Sequence, residues 1–425
     1  MSAWSRTLPR LALRNILRQA RRSTLTAAAM VLGVALLMMS RALADGAHEQ
    51  WIEAGVRLGT GHVAIEAPGY LESGKLEDRL EPEAVAAADA ALSDPAVARR
   101  LAGFAPRLTV TGLASSAAAA RPVQIMGVDP TAEAEFSKLD DWLAEGRYLE
   151  PDDGLAVYIG SDLAELLDLR LGSRLVLTAQ DASGEITGQL VRVVGVFRTG
   201  IPDVDRGLLQ IPLTSARSWL GVGDALTTVA VLLRSSRYVE SVSRTLRAEL
   251  AAAGLADSVS VLPWTRAMPE LQAGVRLDDF GDYVFHAILF AIIALAVVNT
   301  ILMSVIYRNR EFGVLQALGL TPRAMAWLVL TEGLMLTALS GVVGVILGVG
   351  VTWLFWRDGL DLSVFWNQDV TVSGVLIDPV MVPEFRATQV VLGLTFILII
   401  GILASLYPAY RATRIDVAEA MKFER

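Results

Sequence analysis

The chain contains no cysteine, which excludes disulfide staples, thiolate nucleophiles and cysteine-held metal and leaves the redox compartment undecided. Histidine is nearly absent: only His48, His62 and His286 occur. They are far apart and none falls in an HExxH-type spacing, so no histidine metal site is expected. GxSxG, GxxxxGK(S/T) and CxxC patterns are missing, as is any metal-spaced acid cluster, so no catalytic residue and no metal site is expected. The glycine pair in GTGH (59–62) reads as a turn, because no helix with a third glycine follows it. Asp140-Asp141, Asp152-Asp153 and Asp278-Asp279 read as solvated loop charges, with a calcium site as the alternative.

Apolar side chains are plentiful. They make up 53% of 425 residues, and the mean hydropathy is +0.47. That is too apolar for an ordinary soluble enzyme and too polar for a transporter of many spans. A few membrane helices plus a sizeable water-facing domain are expected. Four runs have the length of about 20 apolar residues that a bilayer requires: 23–44, 283–307, 324–356 and 388–410. The third is long enough to tilt or protrude. Tyr283, Tyr307, Trp327, Trp353, Trp356, Tyr407 and Tyr410 mark the edges of these runs.

Net charge is −8, and its distribution orients the chain. Residues 1–22 hold six arginines and no acid, 308–323 three arginines and one acid, and 411–425 four bases and three acids, so the remainder is strongly acidic. This positive-inside pattern places the basic 1–22 helix, the 308–323 connection and the 411–425 tail in the cytoplasm. Residues 45–282 and the 357–387 loop are then outside. Ala42-Leu43-Ala44 before Asp45 also resembles a signal-peptidase site, but the apolar run and the basic lead are both long for a signal peptide.

The outer segment reads as mixed α/β. GHVAIEA (61–67), RPVQIMGVD and SRLVLTAQ have strand character, and EPEAVAAADAAL is helical. DASGEITG is a turn leading into QLVRVVGVF, so 174–198 is expected to be a hairpin. From 227 to 262 a strand, a helix and a strand form a β–α–β unit. The segment divides on paper into a membrane-proximal part, 45–100 with 227–282, and a β-rich insert of about 101–226.

The connection RNREFGVLQALGLTPRAM (308–325) is too short to be a domain. Phe312, Leu315 and Leu318 fall on one helical face with Val314 alongside. Gly319 supplies a C-cap, and Thr321-Pro322 reads as the N-cap and first turn of the next span. Such a helix either rests on lipid or docks into a cytoplasmic protein. Glu311, between Arg310 and Phe312, suits a protein socket better.

This segment resembles the ER-x-x-E-(I/F)-G-x-x-x-A-x-G stretch of the FtsX/MacB/LolC–LolE type of ABC permease. YPAYRATRIDVAEAMKFE resembles the family's C-terminal stretch, and LALRNILRQARRSTLTAAAMVLGVAL its leading helix and first span. VQIMGVDP, LAEGRYL, VYIGSDLAELLDLRLGSRLVL and VVGVFRTG resemble its periplasmic domain. The resemblance implies an α-helical membrane protein with four transmembrane helices plus a large mixed α/β extracytoplasmic domain, in a bacterial inner membrane. It implies a non-catalytic subunit that binds no cofactor. ATP and Mg are expected on a separate cytoplasmic ABC ATPase dimer, since no Walker A is present. Arg308, Glu311, Phe312, Gly313, Leu315, Gln316, Ala317 and Gly319 would form the coupling helix that meets it. A second permease chain is implied, identical or different, with a periplasmic chaperone or adaptor as a further partner and no role for nucleic acid.

Within the spans, Glu332 is read as making a polar link to Asn299 or Thr331, or as plain helix–helix hydrogen bonding. Ser340, Gly344 and Gly348 recur every four residues, which suits close packing on the second or fourth span. Met38, Met39, Tyr283 and Phe285 are candidates for an apolar substrate mouth. Three functions compete: extraction of a lipoprotein or other amphiphile from the outer leaflet, MacB-like efflux with an adaptor, and FtsX-like signalling to a cell-wall hydrolase.

Overall fold

The computed structural model of the protein describes residues 20–361, 371–372, 375–376 and 380–415. The basic leader before residue 20, residues 362–370, 373–374 and 377–379 of the 357–387 loop and the tail after 415 lie outside the described residues, and so do the expectations made for them. The chain divides into two compact units.

The helical unit comprises Met1–His48, Asp278–Leu362 and Val380–Arg425. Among the described residues, four helices are long and apolar enough to cross a membrane: α1 (Ala20–Leu58), then three helices later in the chain. The second and third of the four run over Pro269–Tyr307 and Pro322–Trp356, and the last over Ala387–Thr413. The first continues 14 residues beyond the expected span end at 44, and the second begins 14 residues before 283. Helix propensity outlasts apolarity at both places, and neither stretch holds a proline after its first residue.

Within this unit Met30, Val34, Val297, Ile301, Phe312, Met325, Val329 and Ile397 form one apolar core. Ser340, Gly344 and Gly348 are buried as expected, but the partner of the two glycines is the first helix. A Cβ on Gly344 would meet Val34 and the Val31 carbonyl, and one on Gly348 would meet Ala35 and Met38. The fourth helix is met instead through Gly341 and Gly333, which face Leu394 and Ser405.

The second unit, Glu49–Leu277 with Ser363–Pro379, is built on a ten-stranded sheet. Its strands are β1 (Val63–Glu66), β2 (Leu101–Ser115), β3 (Ala120–Val128), β4 (Leu143–Gly146), β5 (Ala156–Gly160), β6 (Arg174–Gln180), β7 (Ile186–Phe197), β8 (Leu208–Pro212), β9 (Thr228–Leu233) and β10 (Ser260–Pro263). They lie in the order β10-β1-β9-β2-β3-β8-β5-β7-β4, with β6 pairing both β2 and β7. The expected hairpin is present, with Arg174 opposite Arg192 and Gln180 opposite Ile186. The β–α–β unit is present too, and β1 lies between its two strands, antiparallel to both. The expected β-rich insert does not stand apart. Pairing of β2 with β9, from Leu101 opposite Leu233 to Arg107 opposite Thr228, joins it to the remaining strands.

Alternation on these strands separates two faces. Val63, Ile65, Val229 and Val231 enter the main core with Ile125, Ile159, Leu177 and Leu209. Ala230 and Leu232 face a smaller cluster of Trp51, Ile52, Val56, Phe136, Trp264 and Leu271. Among the charged side chains buried in this unit, two arrangements contrast. Arg107 and Glu133 make a paired-up contact, 2.8 Å from Nε and 2.6 Å from Nη2, with the guanidinium 4.7 Å from the Phe136 ring centre. Glu66 makes no ion pair among the described residues. Thr228 Oγ1 donates to its Oε1 at 3.1 Å, while Oε2 is buried without a hydrogen-bond partner. Burial raises its carboxyl from 4.5 to about 7.

Candidate functional site

The short helix between the second and third long helices is α2 (Asn309–Ala317). Arg308 belongs to both of its neighbours' hydrogen-bond ladders. Its amide donates to the Ser304 carbonyl at 3.2 Å, and its carbonyl accepts from the Phe312 amide at 3.0 Å. The far end closes with two reverse bonds, Gly319 N–H to Gln316 O at 2.9 Å and Leu320 N–H to Leu315 O at 2.9 Å. This is a Schellman ending, and Gly319 takes the left-handed backbone it needs, with φ of 96°. Thr321 Oγ1 then accepts from the Ala324 amide and Pro322 opens the third long helix.

A buried ion pair fixes this helix to the third span. Arg308 Nη1 donates to both Glu332 oxygens at 2.8 Å, and its Nε donates to Glu311 Oε2 at 2.9 Å. The guanidinium also lies over the Phe312 ring, 4.9 Å from its centre. Only 6% of the Arg308 side chain and 12% of Glu332 are exposed. Removing one member of a pair buried to this extent leaves an uncompensated charge, at a cost of about 3–5 kcal/mol.

Glu332 therefore has a different partner from the expected ones. Asn299 is exposed on the second helix, and Thr331 Oγ1 donates to the Trp327 carbonyl at 2.6 Å. The expected apolar face of the short helix is also divided. Phe312 and Gly313 are buried, and Leu315 and Gln316 are half-buried. Phe312 joins Val305, Met325 and Val329 in the core. Leu318 is 79% exposed and Val314 44%. The outward surface is thus Asn309, Arg310, Glu311, Val314, Ala317, Leu318 and Gly319. Arg310, Val314 and Leu318 were not among the expected coupling residues. Their signal in the sequence is the helical turn: Arg310 and Val314 lie about 160° around the axis from Phe312, and Leu318 about 120°.

The four residues expected at an apolar mouth differ in burial. Met38 is buried, next to Gly348 and Gly393, and Met39 is half-buried. Tyr283 and Phe285 are 67% and 46% exposed. Among the described residues no group of three or more His, Asp or Glu side chains is arranged to hold a metal. Asp153 is held by Arg147 at 2.7 Å, and Asp278 lies 3.7 Å from His48.

The described residues thus define a membrane protein of four long apolar helices with a large mixed α/β domain and a short amphipathic helix locked between two spans. Residues 23–249 match the family described as the MacB-like periplasmic core domain, and residues 283–417 match the FtsX-like permease C-terminal family. The chain belongs to the FtsX-like ABC transporter permeases that carry a MacB-like periplasmic core. It is similar to the lipoprotein-releasing system transmembrane protein LolC of Xylella fastidiosa, at 25% identity over 79% of this chain and 80% of the relative. It is similar to the uncharacterized ABC transporter permease YvrN of Bacillus subtilis, at 24% identity over 98% of this chain and 99% of the relative. It is also similar to the macrolide export ATP-binding/permease protein MacB of Nitrobacter winogradskyi, at 24% identity over 94% of this chain and 58% of that protein. Among solved structures, the extracellular domain of YknZ from Gram-positive bacteria aligns with 47% of this chain and 98% of its own, at 17% identity and a TM-score of 0.34.

Proposed function

We propose that this chain is a permease subunit that receives force from a separate cytoplasmic ATPase and passes it to its periplasmic domain. The cargo is a lipoprotein or another amphiphile, extracted from the outer leaflet of the inner membrane. ATP and Mg are bound by the ATPase, two permease chains work as a pair, and both chain ends face the cytoplasm. The observation that carries this reading is the joint around Arg308. It ties α2 to the third span through Glu332 and to the core through Phe312, so a push on Val314 or Leu318 displaces the spans instead of bending a loop. LolC relatives matched over most of the chain support the choice of cargo.

The test uses the absence of native cysteine. Val314→Cys and Leu318→Cys, each in the full chain, are expected to crosslink to an ATPase that co-purifies from membranes. Phe312→Cys, at a buried position, is expected to crosslink far less. Reconstitution of the purified complex with an acylated lipoprotein is expected to give ATP-dependent release. An ATPase that never associates removes the coupling reading. Association without release of any acylated cargo removes the cargo assignment and leaves MacB-like export, which the MacB-like core also supports.

A further inference from the structure

The helical unit carries a second polar cluster, where the first, second and fourth long helices leave the apolar core. Arg41 is its centre. Its Nη1 donates to Asp282 on the second helix at 3.1 Å, and its Nη2 lies 3.4 Å from Asp45, one turn further along its own helix. Gln389, near the start of the fourth helix, donates from Nε2 to the same Asp45 oxygen at 3.1 Å. One arginine and one aspartate therefore link three helices.

Backbone contacts reinforce the link. The Glu384 amide donates to the Ala42 carbonyl at 2.9 Å. This brings the segment leading into the fourth helix against the first helix at Gly46, where a Cβ would overlap the Val382 carbonyl oxygen. Glycine is required there by proximity alone.

Two features make this cluster separable where the Arg308 joint is not. The Arg41–Asp282 pair is 32% and 26% exposed, so water replaces either partner when they part, whereas Asp45 is only 10% exposed. In addition, Asp45 Oδ2 is buried with no hydrogen-bond partner. An unpaired carboxylate oxygen is a cost of the closed arrangement that opening relieves, because water then reaches it.

We propose that this cluster is a latch: it holds the first, second and fourth helices together at their periplasmic ends in the resting permease and opens once in each ATP cycle. The inference rests on the reading of the chain as an ATP-driven permease. The buried joint at Arg308 transmits the push, and the half-exposed latch is where the helices yield.

The closing experiment has two arms on the full chain in lipid nanodiscs. In the first, Arg41→Cys with Asp282→Cys is bridged by a short cleavable bis-thiol reagent, and ATP turnover of the co-purified ATPase complex is measured. Bridging is expected to lower turnover on the order of tenfold, as expected if opening gates the cycle, with recovery on cleavage. Unchanged turnover at complete bridging overturns the latch. The second arm uses the permease without its ATPase. Spin labels on Leu36→Cys and Ile288→Cys report the separation of the first and second helices. Arg41→Gln and Gly46→Ala are each expected to widen and lengthen the distance distribution. If both leave it unchanged, the cluster does not hold the helices and the proposal fails. Failure of the permease reading appears separately, as absence of ATPase binding and turnover in the wild-type complex.

Discussion

Two arginine–carboxylate pairs of the same helical unit, Arg308–Glu332 and Arg41–Asp282, sit in contrasting environments. Arg308 and Glu332 are nearly dry, whereas about a third of Arg41 and a quarter of Asp282 remain in water. Distances barely distinguish them, at 2.8 Å and 3.1 Å. Solvation does. A dry pair is hard to break because each charge has nowhere else to go, whereas a wet pair exchanges partner for water at little cost. On the proposed force-transmitting reading both kinds have a use: a joint that stays shut under load and a contact that gives way.

The sharpest attempt to break this comparison is Arg308→Ala. It strands Glu332 in the core and is expected to cost about 3–5 kcal/mol, read as a lower thermal midpoint in detergent and as ATP turnover that no longer responds to cargo. Glu332→Gln keeps a hydrogen-bond acceptor for Arg308 and is expected to lose less.

Glu66 tests the same rule with a buried carboxyl that makes no ion pair among the described residues. Its carboxyl is raised from 4.5 to about 7 in the folded domain, so the neutral form is the one folding favours. The associated stability is complete below pH 4.5 and is lost as pH rises through 7, to a total of about 3 kcal/mol. Wild-type thermal midpoints are expected to fall between pH 5 and pH 8. Glu66→Gln is expected to flatten that slope and to be the more stable protein at pH 8; an unchanged slope would place the titration elsewhere.

Smaller effects follow. Thr321→Ala removes the cap that starts the third long helix and is expected to cost about 1 kcal/mol, seen as faster amide exchange over 323–325. Asp282→Asn, at the wet pair, is expected to change stability by about 1 kcal/mol or less while still altering helix separation. If instead it destabilised the chain as much as Arg308→Ala does, the contrast between the two pairs would be lost.

Much of this was legible in the sequence. Length and apolarity located all four long helices, and Gly319 with Thr321-Pro322 marked where the short helix stops and the next begins. The turn signal in DASGEITG, between two strand-like runs, located the 174–198 hairpin. The helix ends near 58 and 269 were not legible, because the spans were bounded by loss of apolarity while helical hydrogen bonding continued. Nor was the burial of Phe312. An apolar stripe on a nine-residue helix says that one side is greasy, but not whether that side meets the bundle or a partner.

What the sequence determined by itself is what depends on near neighbours in the chain: spans, caps, strands, and the exclusion of cysteine and histidine chemistry. Tertiary structure alone decided which charges meet. Arg308 and Glu332 are 24 residues apart and Arg41 and Asp282 are 241 apart. It also decided that Gly344 and Gly348 receive the first helix and not the second or fourth. Local propensity and periodicity act over one or two turns, whereas the partner of a buried charge is set by which helices come together, and that depends on the packing of the whole unit.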